Sequence, residues 1–458
     1  MITIDRSRLK MLKEREVRRY TVERPKSEAL FRRARNSLLA GVPMNWLRVW
    51  PGFFPDVWEG PFPFFAKEAK GAWLTDVDGH RYLDLILADH PALFGHSPAA
   101  LIDAVTDQLQ RGIALLAPTE DSIWVGEELA RRFGLPFWQI CMTATDANRF
   151  ALKVAREITK RELILVFNGS YHGTVDETLV KLEDGVVRPD PDCIGPLPNA
   201  ASSTRIIEFN DLDALEAALS HRDIACVLCE PELTNVGIVH VEPGYHTALR
   251  DITRRAGTLL IIDETHTITC GPGGLTRLWN LEPDIFTLGK PIASGVPAAV
   301  MGLSREIAEK LEARMILPDG YSGLGGTLSG NQLATVAIKA TLEHIMTQST
   351  YDWTIGLAKQ LADGMDTIIK AAELPWHVTC SGCKVQCSYR PTHPRNATES
   401  AAAFDTELDS FNHLFFINRG ILTSPWRNLK VHIAPQMKNE DIDFYNKLFG
   451  ECVKELVG

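Results

Sequence analysis

No apolar stretch in the 458 residues is long enough to span a bilayer, so no membrane segment is expected. Positive charge is not in surplus. The 48 lysines and arginines face 58 aspartates and glutamates, giving a formal net charge of −10. A general nucleic-acid binder would need a basic face, so nucleic acid is not an expected partner. The locally basic start, with Lys10, Lys13, Arg15, Arg18 and Arg19, reads as a solvated or subunit-covering helix. No apolar leader opens the chain, and its nine cysteines are an odd number. Several, such as Cys226 and Cys229, lie in apolar runs as small buried hydrophobes. A reducing, cytoplasmic setting is the expectation. Cys380, Cys383 and Cys387 crowd one stretch near His377. Val385, Cys387 and Tyr389 alternate there as in a strand, so no metal site is expected. Internal repeats and low-complexity segments are missing. So is a Walker A or dinucleotide fingerprint in a strand–turn–helix context.

What is present is an alternation of strand and helix signals. The length exceeds one ordinary core, so two domains are expected. Residues 1–40 read as helix, 41–72 as an ordered extended segment, and 73–84 as a hairpin turning at Asp78-Gly79. Apolar strand-like runs follow at 137–143, 163–167, 225–229, 259–262, 285–288 and 298–301, several separated by helical stretches. Such units imply an α/β domain with a mostly parallel sheet covered on both faces, its ligand beyond the carboxyl ends of the strands. After Gly330 come long helical patterns at 333–345 and 353–372, then strands near 383–389 and 430–433. These suggest a smaller α+β domain. The expected division is 1–72 packing with the small domain, 73–332 as the large domain, and 333–458 as the small one.

Two neighbouring strand ends carry the strongest chemical signal. One apolar run stops at Asp263, in Leu-Leu-Ile-Ile-Asp263-Glu-Thr-His, and the other just before Lys290, in Ile-Phe-Thr-Leu-Gly-Lys290-Pro. A lysine amine can condense with an aldehyde, and an acid at the same sheet edge can hold a pyridinium proton. These segments resemble the class III pyridoxal-phosphate-dependent aminotransferases, the group of glutamate-1-semialdehyde aminomutase and the β- and ω-amino acid transaminases. The likeness runs from about residue 71 to 330 and, more loosely, through the C-terminal domain. It implies a type I pyridoxal-phosphate transferase fold with a seven-stranded sheet, pyridoxal 5'-phosphate as cofactor, and a homodimer.

Carried over residue by residue, the resemblance implies Lys290 as the Schiff-base lysine and Asp263 as the acid paired with the pyridine nitrogen. Thr143, Ala144 and Thr145 fall on the phosphate-binding turn. There Ala144 stands for the usual glycine and Asp146 for the usual glutamate. Tyr171, followed by His172 and Gly173, matches the aromatic that stacks on the cofactor ring. Glu230-Pro231 and the later Asn235 match a segment whose asparagine bonds the phenolic oxygen. Thr265 joins this cofactor set. Thr327, in Gly-Gly-Thr327-Leu-Ser-Gly-Asn, matches a donor to the phosphate of the neighbouring subunit; Gln332 follows that asparagine where the family often has proline.

Substrate contacts are drawn from Arg48, Arg427, Asp89 and Trp46. An arginine fork suits a carboxylate. Asp89 falls where the aminomutases carry an aromatic, and an acid there would repel a carboxylate. Trp46, Trp50, Phe53 and Phe54 could line an apolar pocket. The expected activity is an aminotransferase acting between an amine or amino acid donor and a keto acid or aldehyde acceptor. An intramolecular aminomutase or a racemase on the same fold is the alternative. A non-enzymatic regulator would need an added DNA-binding domain, for which residues 1–40 are too short.

Overall fold

The computed structural model describes residues 3–49, 61–315, 322–425 and 427–458. Trp50, Phe53 and Phe54 lie outside the described residues. The chain divides into two compact units: residues 1–98, 349–393 and 401–458 form the first, and residues 99–348 and 394–400 the second.

The second unit is built on seven strands: β1 (Phe137–Cys141), β2 (Leu163–Phe167), β3 (Thr204–Ile207), β4 (Ile224–Cys229), β5 (Leu259–Asp263), β6 (Ile285–Leu288) and β7 (Ala299–Leu303). They lie in the order β1-β7-β6-β5-β4-β2-β3. Six are mutually parallel, and β7 runs antiparallel between β6 and β1. Every residue of β4 and β6 is buried, which is why these strands read as continuous apolar runs rather than alternating ones. β3 escapes the sequence reading because it has four residues, two of them Thr204 and Arg205. Parallel strands send their carboxyl ends to one edge, and polar residues follow directly after β2, β4 and β5 and one residue later after β1 and β6.

In the first unit the expected single helix over 1–40 is two, Arg6–Glu23 and Pro25–Ala34. Pro25 has no N–H to continue the first helix, yet its fixed φ suits the first position of the second. The hairpin forms as Trp73–Asp76 against Arg81–Asp84. A three-stranded antiparallel sheet follows, β8 (His377–Ser381), β9 (Lys384–Ser388) and β10 (Leu429–His432). Its register sets Lys384 opposite His432 and Gln386 opposite both Lys430 and Thr379, so one face is wholly polar. The other carries Val378, Val385, Cys387, Leu429 and Val431.

The unit boundaries fall at 98/99 and 348/349 rather than at 72/73 and 332/333. The hairpin belongs to the first unit because Arg81–Asp84 pairs in parallel with Ile421–Leu422. Helix Gln332–Ala340 belongs to the second because it packs on helices Ala99–Arg111 and Glu120–Phe133. Among the described residues, no helix is long and apolar enough to cross a membrane.

Candidate active site

Asp263 ends β5 as a buried carboxylate. Its Oδ2 accepts from His172 Nδ1 at 2.9 Å and from Asn148 Nδ2 at 2.8 Å; its Oδ1 accepts from the Thr265 backbone N–H at 3.0 Å. Burial pushes this carboxyl upward, but the hydrogen bond and charge of His172, with the bonds from Thr265 and Asn148, outweigh it. The net shift is downward, so the group stays ionised at neutral pH. An ionised carboxylate can only accept, so His172 Nδ1 carries the proton. Asn148 is held in turn by Thr287 Oγ1, which donates to its Oδ1 at 2.7 Å, while its Nδ2 also reaches His172 O at 3.1 Å. The adjacent Glu264 shows what burial does with weaker opposition. Thr267 and the Thr276 N–H bond its oxygens, yet burial still raises it to about 7.

Lys290 lies on the neighbouring strand end. Asp263 pairs with Thr287 in the β5–β6 register, and Lys290 follows Thr287 by three residues. It opens a tight turn at φ 46°, a left-handed conformation that costs a non-glycine residue of order 1 kcal/mol and often marks a functional position. Its Nζ is 2.7 Å from His266 Nε2. The preceding Gly289 donates its N–H to Thr265 Oγ1 at 3.2 Å. A Cβ on Gly289 would fall 2.7 Å from the Cβ of Ala144, so only glycine lets the lysine turn approach this closely. Ala144 needs no glycine itself: it opens helix Ala144–Thr159 and is not among the positive-φ residues.

Thr143 caps that helix, accepting the Asp146 N–H at 3.1 Å. Thr145 Oγ1 accepts the Thr174 N–H at 3.2 Å, and Gly173 passes so close that a Cβ there would meet this oxygen at 2.2 Å. Helix starts favour anions through their free N–H groups and dipole. Tyr171 follows β2 with 38% of its surface exposed. Glu230 stands behind it: Oε1 accepts from the Tyr171 N–H at 3.4 Å and Asn235 Nδ2 at 3.2 Å, and Oε2 from the Thr234 N–H at 3.1 Å. Burial raises the Glu230 carboxyl against the opposing influence of His172.

Thr327 is exposed in the loop before helix Gln332–Ala340. This loop and residues from 114 to 140 line a groove of about 780 Å³. Gln332 has a structural use: its Oε1 accepts from the Leu115 N–H at 3.0 Å and its Nε2 donates to Ala117 O at 2.6 Å.

Arg48, Trp46, Asp89 and Arg427 belong to the first unit, and Asp263 and Lys290 to the second. Arg48 is buried, with Nη1 donating to Pro61 O at 3.0 Å and its guanidinium 5.0 Å from the Phe31 ring centre. Asp89 is 62% exposed by side chain and sits in four successive left-handed residues, Leu87 to His90. Arg427 is also left-handed, at φ 57°. The residues that the sequence reading misses are Asn148, Glu264, His266 and Thr287. Asn148 could have been found as a lone amide on the buried stripe of its helix, between Ala147 and Ala151.

The aminotransferase class-III family model matches residues 54–402. The chain belongs to the class-III aminotransferase family. It is a pyridoxal-phosphate enzyme with a type I fold. Among its relatives, a glutamate-1-semialdehyde 2,1-aminomutase of Chloroflexus aggregans is 33% identical over 398 residues, 84% of this chain and 89% of that one. A glutamate-1-semialdehyde-aminomutase from Pseudomonas aeruginosa PAO1 is 43% identical in sequence and superposes with a TM-score of 0.95, covering 99% of this chain and 100% of that one. A variant of that protein with one lysine replaced by alanine has been solved with PMP. An omega-transaminase from Sphaerobacter thermophilus is 27% identical, with a TM-score of 0.85 over 94% of this chain and 98% of that one.

The side chains of this class-III enzyme fit its cofactor. A buried, ionised carboxylate that keeps one oxygen only singly bonded suits a ring N–H. The helix start at Thr143–Thr145 suits a phosphate, and the exposed face of Tyr171 suits a stacked ring.

Proposed function

We propose that this enzyme moves an amino group within one molecule, as an aminomutase acting on a small amino aldehyde that also bears a carboxylate. The single observation behind this reading is the relation to the Pseudomonas aminomutase, 43% identical over nearly the whole of both chains. It replaces transfer between two molecules as the favoured reading. Transfer remains the second, favoured by the omega-transaminase likeness and by the acid at Asp89.

Pyridoxal phosphate, when bound, supplies an aldehyde that condenses with amines and a ring that takes up the electron pair left by a departing proton. Asp263 would hold the proton of the ring nitrogen. Lys290 Nζ would hold the cofactor through its aldehyde and, with its amine free, would be the group that moves a proton. Thr143, Ala144 and Thr145 bind the phosphate. Tyr171 orients the ring by stacking and Asn235 bonds the phenolic oxygen. His172 and Thr265 fix Asp263, and Glu230 fixes Tyr171 and Asn235. Arg48 and Arg427 are the proposed carboxylate contacts. Trp46 and Asp89 are further proposed substrate contacts.

The enzyme is proposed to work as a cytoplasmic homodimer, with Thr327 serving the phosphate of the adjoining subunit. Leu116, 94% exposed, and Leu328, 52% exposed, border the groove beside Thr327 and support an interface there.

The test is a nitrogen balance. Holoenzyme is given glutamate-1-semialdehyde with ¹⁵N at the amino group, together with unlabelled alanine and pyruvate. Conversion to the isomeric amino ketone with the label retained supports the mutase. Label appearing in alanine supports transfer and removes the first reading.

A further inference from the structure

We propose that His266 is the proton partner of Lys290, a further catalytic residue that touches the reacting nitrogen itself. The inference rests on the reading of Lys290 as the cofactor's lysine. His266 follows β5 by three residues, Lys290 follows β6 by two, and the two strands are parallel neighbours. That register brings His266 Nε2 to 2.7 Å from Lys290 Nζ, a strong hydrogen-bond distance between two nitrogens that both handle protons. Both ends are held. The lysine turn is tied to the β5 loop by the Gly289 N–H on Thr265 Oγ1. His266 is buried and enters the tight turn Thr267–Cys270, where its carbonyl accepts from Thr269 Oγ1 at 3.1 Å.

The chemistry follows from what the lysine must do. A lysine ammonium has no lone pair, so it can neither attack an aldehyde nor remove a substrate proton. The Nε2 lone pair takes the proton from Nζ: one Nζ–H bond breaks, one Nε2–H bond forms, and the lone pair is left on Nζ. The positive charge moves to the imidazole, so the net charge of the pocket is unchanged. A lysine ammonium holds its proton about four pH units more tightly than an imidazolium. The imidazole is therefore a transient acceptor, and it returns the proton when Nζ is displaced. Because Nζ is the only proton carrier assigned to the amino shift, a neighbour that loads and unloads it affects each half of the reaction.

The experiment follows capture of added pyridoxal phosphate by the cofactor-stripped full-length enzyme, as the rise of absorbance near the visible edge. Wild type, His266→Ala, His266→Gln and Lys290→Ala are compared. Capture by His266→Ala is expected to slow on the order of 100-fold, the usual size of a general acid–base contribution. Imidazole in the medium should restore much of the rate. His266→Gln keeps a hydrogen-bonding side chain but cannot take up a proton. It should remain slow while melting as the wild type does, and it decides the matter if the alanine variant misfolds. Gln at the wild-type rate, or Ala within twofold of it, overturns the proposal. A wild-type chain that captures no cofactor at all defeats instead the reading of Lys290 on which the proposal rests.

Discussion

The two sheets handle buried polar groups in opposite ways. In the seven-stranded sheet the central strands β4, β5 and β6 are largely apolar on both faces, and charged residues gather at their carboxyl ends, at Asp263, Glu230 and Lys290. In the sheet β8-β9-β10 a whole face is polar, with buried Lys384, Gln386 and His432 side by side with Lys430. The strand ends give each charge its own partners, and Asp263 stays ionised despite full burial. On the polar face, burial and the neighbouring charges of Lys384 and Arg427 drive Lys430 down to about 7. Placing a charge at a strand end lets loop N–H groups and side chains converge on it. Placing it within a strand leaves it to face the cations beside it.

The contrast can be broken most severely at Lys290. Lys290→Ala should lower turnover by at least about 10⁴-fold and remove the near-visible absorbance of the bound cofactor, read by spectrophotometry beside a kinetic assay. Unchanged absorbance would show that another group holds the cofactor. Next comes Asp263→Asn, which preserves shape and removes the charge. Turnover should fall on the order of 10³-fold while the cofactor band persists, because Lys290 is intact. Loss of both together would assign Asp263 to folding instead.

Glu264→Gln probes the same strand end through stability. The folded carboxyl is raised to about 7, above roughly 4.3 for a free glutamate. Its contribution to stability is therefore fully present below pH 4.3 and is lost as the pH climbs through 7. Wild type should lose up to about 3 kcal/mol over that window from this group, and the glutamine variant should lose less. Denaturant titrations at pH 5 and 8 measure the difference. The smallest effect is expected on the polar face. Lys384→Met removes one positive neighbour of Lys430, so the pH midpoint for acylation of Lys430, followed by mass spectrometry, should rise by about one unit or less.

The same difference explains what could be read from the sequence. Asp263 and Lys290 are legible because an apolar run that ends on a charge stands out in the chain. The strands β1, β2 and β4–β7 are legible for the same reason. Asn148 and Thr287 are not, since each is one polar residue within an otherwise ordinary helix or strand, and its purpose is visible only when Asp263 is brought to it. His266 is hidden because its partner is 24 residues away. The unit boundaries are misread because the pairing of Arg81–Asp84 with Ile421–Leu422 spans over 300 residues and leaves no local mark. The left-handed run from Leu87 to His90 contains no glycine, the residue that would have announced it.

One measurement bears most directly on the whole account. Holoenzyme loaded with pyridoxal phosphate is reduced with borohydride, digested, and its peptides are sequenced by mass spectrometry. The cofactor's mass should appear on Lys290, in the peptide that contains Gly289 and Pro291. Finding it on a different lysine, with residue 290 unmodified, would contradict the account.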